Sequence, residues 1–104
     1  MTGPELTVGT SVIAELVRLA AFEIPGVARV GHGGAWWRRV LRGRDVSVRL
    51  RDDHVHVRLW IVARPGQALG PLTMQVRSAV AATVERLLGL DLGSVTVLVD
   101  GVGG

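Results

Sequence analysis

Residues 45–63 read DVSVRLRDDHVHVRLWIVA, and this stretch decides the fold. Aliphatic and polar residues alternate on both sides of Asp52 and Asp53, which is the period of a β-strand. The stretch therefore predicts a β-hairpin with a two-residue turn. In that register each aliphatic residue faces another on one side of the hairpin: Val46 with Leu59, Val48 with Val57, and Leu50 with Val55.

The opposite side of the hairpin is cationic and aromatic. It carries Ser47, Arg49, Arg51, His54, His56, Arg58 and Trp60. A slip of one residue would drive these arginines into the core, so burial of the aliphatic side fixes the register. Four of the side chains form a candidate interaction surface: Arg49, His56, Arg58 and Trp60.

Two amphipathic helices flank the hairpin. The first begins near Thr10 or Ser11, either of which can cap its free amides. The second begins near Pro71 and runs to Leu88, with Gly89 as a left-handed cap. Their predicted core stripes are Val12, Ile13, Leu16, Val17, Ala20 and Ile24 in the first helix, and Leu72, Val76, Ala79, Val80, Thr83, Val84 and Leu87 in the second.

Short strands at Val27–Val30 and at residues 95–99 complete the predicted sheet. The sequence thus predicts an α+β fold with two layers, in which a small mixed sheet of three to four strands carries both long helices on one face. The length suits one domain over residues 1–104. Within it we expect a variable Gly/Trp/Arg loop at 31–44 and a flexible tail at 101–104.

The composition argues against several classes of protein. The chain has 104 residues, a formal net charge of +3 and no cysteine, so it has no disulfide framework and no thiolate nucleophile. No apolar run approaches the roughly 18 residues that span a bilayer. The first residues lack the features of a signal peptide, and no catalytic triad or carboxylate pair is evident. We therefore expect a cytoplasmic protein that is not an enzyme and uses no cofactor or metal.

Two short motifs point weakly to ligands. His54 and His56 share one strand face, which is a spacing that metal sites use, but the sequence specifies no third ligand. Residues 31–34 read GHGG and match the Gly-X-X-Gly clamp of KH-type RNA-binding modules. A strand is predicted before this loop, where the KH module has a helix. We assign a site to neither motif.

Residues 35–42 combine tryptophan with arginine. If they form a helix, the tryptophans lie on one side and the arginines point away from it. Such an element suits an anionic membrane surface, where each arginine contributes about 1 kcal/mol. Alternatively, the tryptophans cover the domain's own core. The candidate membrane or partner segment comprises Trp36, Trp37, Arg38, Arg39 and Arg42.

The outer sides of the helices carry small and apolar residues that suggest self-association. Small side chains permit close helix approach, and an exposed phenylalanine favours being covered. Apolar residues scattered on a surface are also common in monomers, so this alternative stays open. The candidate self-association residues are Phe22, Met74, Ser78 and Ala82.

Several segments together resemble one known family. The helix opens with Val12-Ile13-Ala14, residues 20–27 read AAFEIPGV, and Asp100-Gly101-Val102 follows the last strand. With the alternating strands of residues 46–63, these segments resemble the alkaline shock protein family of bacterial envelope stress response proteins. The resemblance covers nearly the whole chain and supplies no catalytic motif. It implies a non-enzymatic cytoplasmic protein that self-associates or acts as a scaffold at the inner face of the cell envelope.

Two functions remain open. The preferred one is an interaction or scaffold protein of the envelope stress response type that forms a homo-oligomer. Its further candidate partners are a membrane-anchored protein and the anionic surface of the membrane. The alternative is a small nucleic-acid-binding module, in which the basic aromatic sheet face contacts phosphates and stacks a base.

Overall fold

A computed structural model describes residues 9–33 and 45–103. In chain order the elements are α1 (Thr10–Phe22), β1 (Val27–Val30), β2 (Val46–Arg51), β3 (His54–Ala63), α2 (Leu69–Ala82), a π-helical turn (Thr83–Leu87) and β4 (Leu92–Val102). The predicted α+β fold is confirmed. The candidate membrane or partner segment lies outside the described residues.

The hairpin has the predicted register. β2 and β3 pair antiparallel, with Val46 opposite Leu59, Val48 opposite Val57 and Leu50 opposite Val55. Asp52 and Asp53 have φ angles of 52° and 62°, which is the left-handed conformation that a type I′ turn requires at both central positions. Aspartate tolerates this conformation better than most residues, so the turn suits its sequence.

β3 is the central strand of a mixed four-stranded sheet. β4 pairs parallel with it, and β1 and β2 both pair antiparallel with it. The N–H of Trp60 donates to the carbonyl of Asp45 (2.9 Å), and the carbonyl of Trp60 accepts from the N–H of Gly31 (2.8 Å). The N–H and C=O groups of one strand residue point to the same side of the strand. β1 and β2 therefore lie along the same edge of β3, one after the other: β2 pairs with residues 54–59 and β1 with residues 61–63.

The core lies between the aliphatic face of this sheet and the two helices. α1 buries Ile13, Val17 and Ala21, and α2 buries Leu72, Val76 and Val80. They cover five residues of β3 that alternate along the strand: Val55, Val57, Leu59, Ile61 and Ala63. Both helices therefore pack on the aliphatic face, as predicted, and the arginine side of the hairpin faces away from them.

The helix ends differ from the prediction in three places. The N-cap of α1 is Gly9, and neither Thr10 nor Ser11 caps it with a side-chain hydrogen bond. Val12 is half exposed because its neighbour Ile13 takes the position that faces the sheet. Leu87 is exposed rather than buried, since the π-helical turn uses i to i+5 bonding and rotates the following residues out of phase.

The end of the chain also differs. β4 continues through Gly101 and Val102, and the N–H of Gly103 donates to the carbonyl of Ala63 at 2.8 Å. Residues 101–103 are therefore part of the sheet rather than a flexible tail. Glycine is a poor strand former, which is why the sequence pattern ends before the strand does.

Candidate functional site

A groove of about 600 Å³ crosses the open face of the sheet, opposite the helices. We call it the arginine groove. It is lined by Ser47, Arg49 and Arg51 from β2, by His56, Val57, Arg58 and Trp60 from β3, and by Ser94 and Thr96 from β4. The structure thus brings together all four residues of the candidate interaction surface, Arg49, His56, Arg58 and Trp60.

Strand alternation explains why these side chains share one face. Successive residues of a strand point to opposite sides, and burial of Val55, Val57 and Leu59 sends the residues between them outward. Pairing then places Arg49 opposite His56 and aligns Ser94 of β4 beside the same histidine. The groove is therefore a direct consequence of the hairpin register.

The groove is positively charged. Within the described residues, Arg18 forms ion pairs with Glu15 and Asp45, and the neutral or charged ring of His32 lies beside Asp100. None of the three groove arginines takes part in an ion pair within this part of the chain, and the described lining residues include no carboxylate. Their guanidinium groups are exposed to solvent. Such a surface can bind an anion through forked, charge-assisted hydrogen bonds.

Strand β4 fixes the imidazole of His56. Its Nδ1 lies 2.9 Å from the Oγ of Ser94. The ring also lies directly over Gly93, where a β-carbon would come within 2.7 Å of Nε2. Gly93 therefore provides the space for the ring. These two contacts hold His56 within the groove beside Arg49.

Trp60 forms one end of the groove and contacts His32 outside it. The two ring centroids are 4.6 Å apart, and the ring planes are inclined by 42°. His32 is fully buried, with its Nδ1 3.6 Å from the Oδ2 of Asp100. That same carboxylate oxygen accepts a hydrogen bond from the N–H of Gly33 at 2.8 Å. The indole is therefore only partly available to a ligand.

His32 is a structural residue that the sequence does not reveal. Residues 31–34 match a KH-type backbone clamp only weakly, and in the structure the His32 side chain is buried and the Gly33 amide is already bonded to Asp100. The described part of this loop therefore covers the sheet. No local signal predicted this, because Asp100 is 67 residues away from Gly33 in the chain.

The two hairpin histidines have separate partners. His54 donates from Nδ1 to the carbonyl of Asp52 (2.7 Å), whereas His56 contacts Ser94. Within residues 9–33 and 45–103, no three His, Cys, Asp or Glu side chains are grouped as metal ligands would be.

The candidate self-association residues lie in the helical layer, on the other side of the molecule from the groove. Phe22, Met74 and Ser78 are exposed, and Ala82 is half-buried. Phe22 lies next to Leu19, and the two help to line an apolar cleft of about 210 Å³. The remaining lining residues of that cleft are Arg18, Arg29 and Val30.

Sequence comparison now identifies the family. A family model described by a cell envelope-related function matches residues 2–103, which is nearly the whole chain. The chain belongs to the alkaline shock protein family. No helix among the described residues of this alkaline shock family protein is long and apolar enough to cross a membrane.

A curated relative supports the assignment over part of the chain. The uncharacterized protein YloU of Bacillus subtilis (strain 168) is 30% identical over 59 residues. The match covers 57% of this alkaline shock family chain and 49% of YloU. The chain therefore matches about half the length of this relative.

Solved structures share the fold of this alkaline shock family protein. The manganese form of a MamM CTD variant has a TM-score of 0.64 at 18% identity, covering 89% of this chain and 99% of the other. The copper form of another MamM CTD variant has a TM-score of 0.65 at 17% identity, covering 89% and 98%. At this identity the likeness concerns the fold alone.

Proposed function

We propose that this chain is a non-enzymatic interaction protein that associates with further copies of itself at the cytoplasmic side of the cell envelope. Its family has a cell envelope-related function, which supports the envelope context. One observation carries the proposal of self-association: the outer surface of the helical layer is unusually apolar.

Most of the large apolar side chains exposed to solvent lie on this surface. Of the eight in the described residues, six belong to the helices or the π-helical turn: Val12, Leu19, Phe22, Leu69, Met74 and Leu87. Adjoining exposed apolar side chains mark a protein contact more often than scattered ones do, and Leu19 and Phe22 of this set line one cleft.

Phe22 is the centre of the proposed contact. It is 54% exposed, and Leu19, one turn earlier on the same face of α1, is 50% exposed. Arg18 and Arg29 border the cleft that these two residues line. An apolar centre with a charged rim is the usual anatomy of a protein interface.

Helix α2 of another copy is suited to cover Phe22 and Leu19. Met74 is exposed on α2, and Arg77 is the sole charged residue of residues 69–84. Because a buried unpaired charge is costly, a partner that covers this helix needs to satisfy only one charge, that of Arg77. Phe22 and Leu19 of one copy and the face around Met74 of another therefore form the proposed contact.

Light scattering coupled to size exclusion tests this proposal. We expect the parent chain to show a mass above that of a monomer, and Phe22→Glu to lower it because a buried unpaired charge opposes association. Ala82→Arg on α2 should also lower the mass. Circular dichroism checks that each variant keeps the fold.

Val102→Glu is the matched control, because it places the same charge at an exposed apolar residue of the edge strand β4. It should keep the parent's mass. A monomeric parent at high concentration would refute self-association. A mass that falls with Val102→Glu and not with Phe22→Glu would refute the helical contact and place assembly at the sheet edge.

A further inference from the structure

We infer that the arginine groove binds single-stranded nucleic acid, with Arg49, Arg51 and Arg58 on the phosphates and Trp60 against a base. This inference is independent of the self-association proposed above. The groove lies on the open face of the sheet, whereas the proposed contact between copies lies on the helical layer.

The charge of the groove suits a polyanion. Three guanidinium groups share one recess, and none has an ion-pair partner within the described residues. Each presents a planar fork of donors that matches the oxygens of a phosphate. The lining adds hydroxyl donors without adding negative charge, from Ser47 and Thr96, while the hydroxyl of Ser94 contacts His56. Uncharged donors of this kind commonly contact the nucleic-acid backbone.

His56 is held in a fixed position within the groove. Its Nδ1 is held by Ser94, and its ring lies over Gly93. The other ring nitrogen, Nε2, has no hydrogen-bond partner within the described residues. A side chain held in place by a neighbouring strand loses little freedom when a ligand binds, which favours binding. The groove is thus organised before the ligand arrives.

Trp60 provides an aromatic ring at one end of the groove. Trp60 contacts His32 outside the groove, at 4.6 Å between ring centroids, and lines the groove itself. The contact with His32 limits movement of the indole. Bases stack on such aromatic side chains irrespective of sequence, and a basic channel beside them follows the backbone. The groove therefore has arginines that can bind phosphates and an indole that can stack on a base.

Two other anionic partners fit less well. A membrane surface is usually bound through exposed apolar side chains that enter it, and none of the large exposed apolar residues within the described ranges lines the groove. An acidic peptide would pair with the arginines, but its carboxylate side chains provide no aromatic ring to stack on Trp60. Both partners are included as arms of the test.

The test measures fluorescence anisotropy of a labelled single-stranded oligonucleotide over a salt series between about 50 and 200 mM. Each phosphate contact to a single strand contributes about −0.7 to the slope of log affinity against log salt, so three contacts predict a slope of about −2. Arg49→Gln or Arg58→Gln should weaken binding about tenfold and reduce the slope by about 0.7. Both residues are exposed, so these variants should fold.

Two uncharged changes test the geometry. Gly93→Ala should weaken binding several-fold with the slope kept, because the new methyl displaces His56. Trp60→Leu should weaken binding about tenfold with the slope kept. Trp60→Phe retains an aromatic ring and should keep most of the affinity. The difference between Trp60→Phe and Trp60→Leu therefore reports loss of stacking rather than loss of the fold.

Arg77→Gln is the matched control, since it removes the same charge from an exposed position of α2. It should leave binding unchanged. Equal weakening by Arg77→Gln and Arg49→Gln would overturn the site, as would an absence of binding at low salt. Equal or tighter binding of polyglutamate or phosphatidylglycerol vesicles would also overturn the nucleic-acid assignment. Phe22→Glu should retain binding even where it abolishes assembly, so the two proposals fail separately.

Discussion

The rings of His32 and Trp60 are in contact, with centroids 4.6 Å apart and planes inclined by 42°. This contact packs His32 against β3, the central strand of the sheet. It also buries an imidazole whose two nitrogens have no hydrogen-bond partner within the described residues. His32 therefore contributes mainly as a packed ring, and its removal leaves a cavity beside Trp60.

We expect His32→Ala to lower the free energy of unfolding by about 2 kcal/mol, through the cavity and the lost ring contact. His54→Ala is the matched control, because His54 is exposed at the end of the hairpin. It should change stability by no more than about 0.5 kcal/mol. Urea unfolding measures both. Equal effects of the two changes would show that the ring contact contributes nothing.

The hairpin turn predicts a stabilising substitution. Asp53 has φ of 62°, a conformation that glycine adopts without steric cost. Asp53→Gly creates the Asp-Gly pair favoured in type I′ turns and should raise the free energy of unfolding by about 0.5 to 1 kcal/mol. Asp53→Val should lower it, since a β-branched residue is strained there. Thermal unfolding measures whether Asp53→Gly is more stable than Asp53→Val. The reverse order would show that the turn is of another type.

Two leucines of the hairpin should differ sharply in their contribution to stability. Leu59 is completely buried, whereas Leu50 is 54% exposed near the turn. Leu59→Ala should cost about 2 to 5 kcal/mol because a cavity remains in the core. Leu50→Ala should cost about 1 kcal/mol or less. If the register were shifted by one residue, Leu59 would be exposed, and Leu59→Ala would then lower stability no more than Leu50→Ala does.

Two glycines provide a similar contrast. A β-carbon at Gly26 would lie 2.7 Å from the Cδ1 of Leu72, so Gly26→Ala should destabilise the protein by about 1 to 3 kcal/mol. Gly70 lies in the first turn of α2, directly before Pro71, and apart from its chain neighbours no atom lies within 4 Å of such a carbon. Gly70→Ala should change the free energy of unfolding by less than about 1 kcal/mol, because the better helix propensity of alanine is offset by crowding between its β-carbon and the ring of Pro71. Chemical denaturation distinguishes the two variants, and an equal loss of stability in both would contradict this account.

The hairpin was predictable in full because its pattern admits a single solution. Alternation on both sides of Asp52 and Asp53 leaves one register that pairs Val46, Val48 and Leu50 with aliphatic residues of the other strand on one face, and the structure has that register. The same alternation predicted which side chains share the groove. Local pattern is sufficient there, because strand period and burial act on the same residues.

Other features were not predictable, because they depend on distant parts of the chain. Leu87 continues the helical stripe of α2 in sequence, but a π-helical turn takes it out of the core. Helical periodicity carries no sign of that change in bonding. His32 is buried because Trp60 and Asp100 converge on it across the sheet, and its neighbours in sequence do not indicate this.

The two backbone bonds of Trp60 have a consequence for how this chain can diverge. The chain leaves the sheet at Gly31 and returns at Asp45, and both ends are fastened to the same residue of β3. A side chain at Gly31 would meet the Asp45 carboxylate at 3.2 Å, which shows how close the two ends are. Since doubling a loop adds only about 0.6 kcal/mol to its closure cost, the number of residues between Gly33 and Asp45 can change at little cost in stability. With His32 and Gly33 kept in place, we expect a reporter peptide inserted between Gly33 and Asp45 to leave the register of all four strands unchanged.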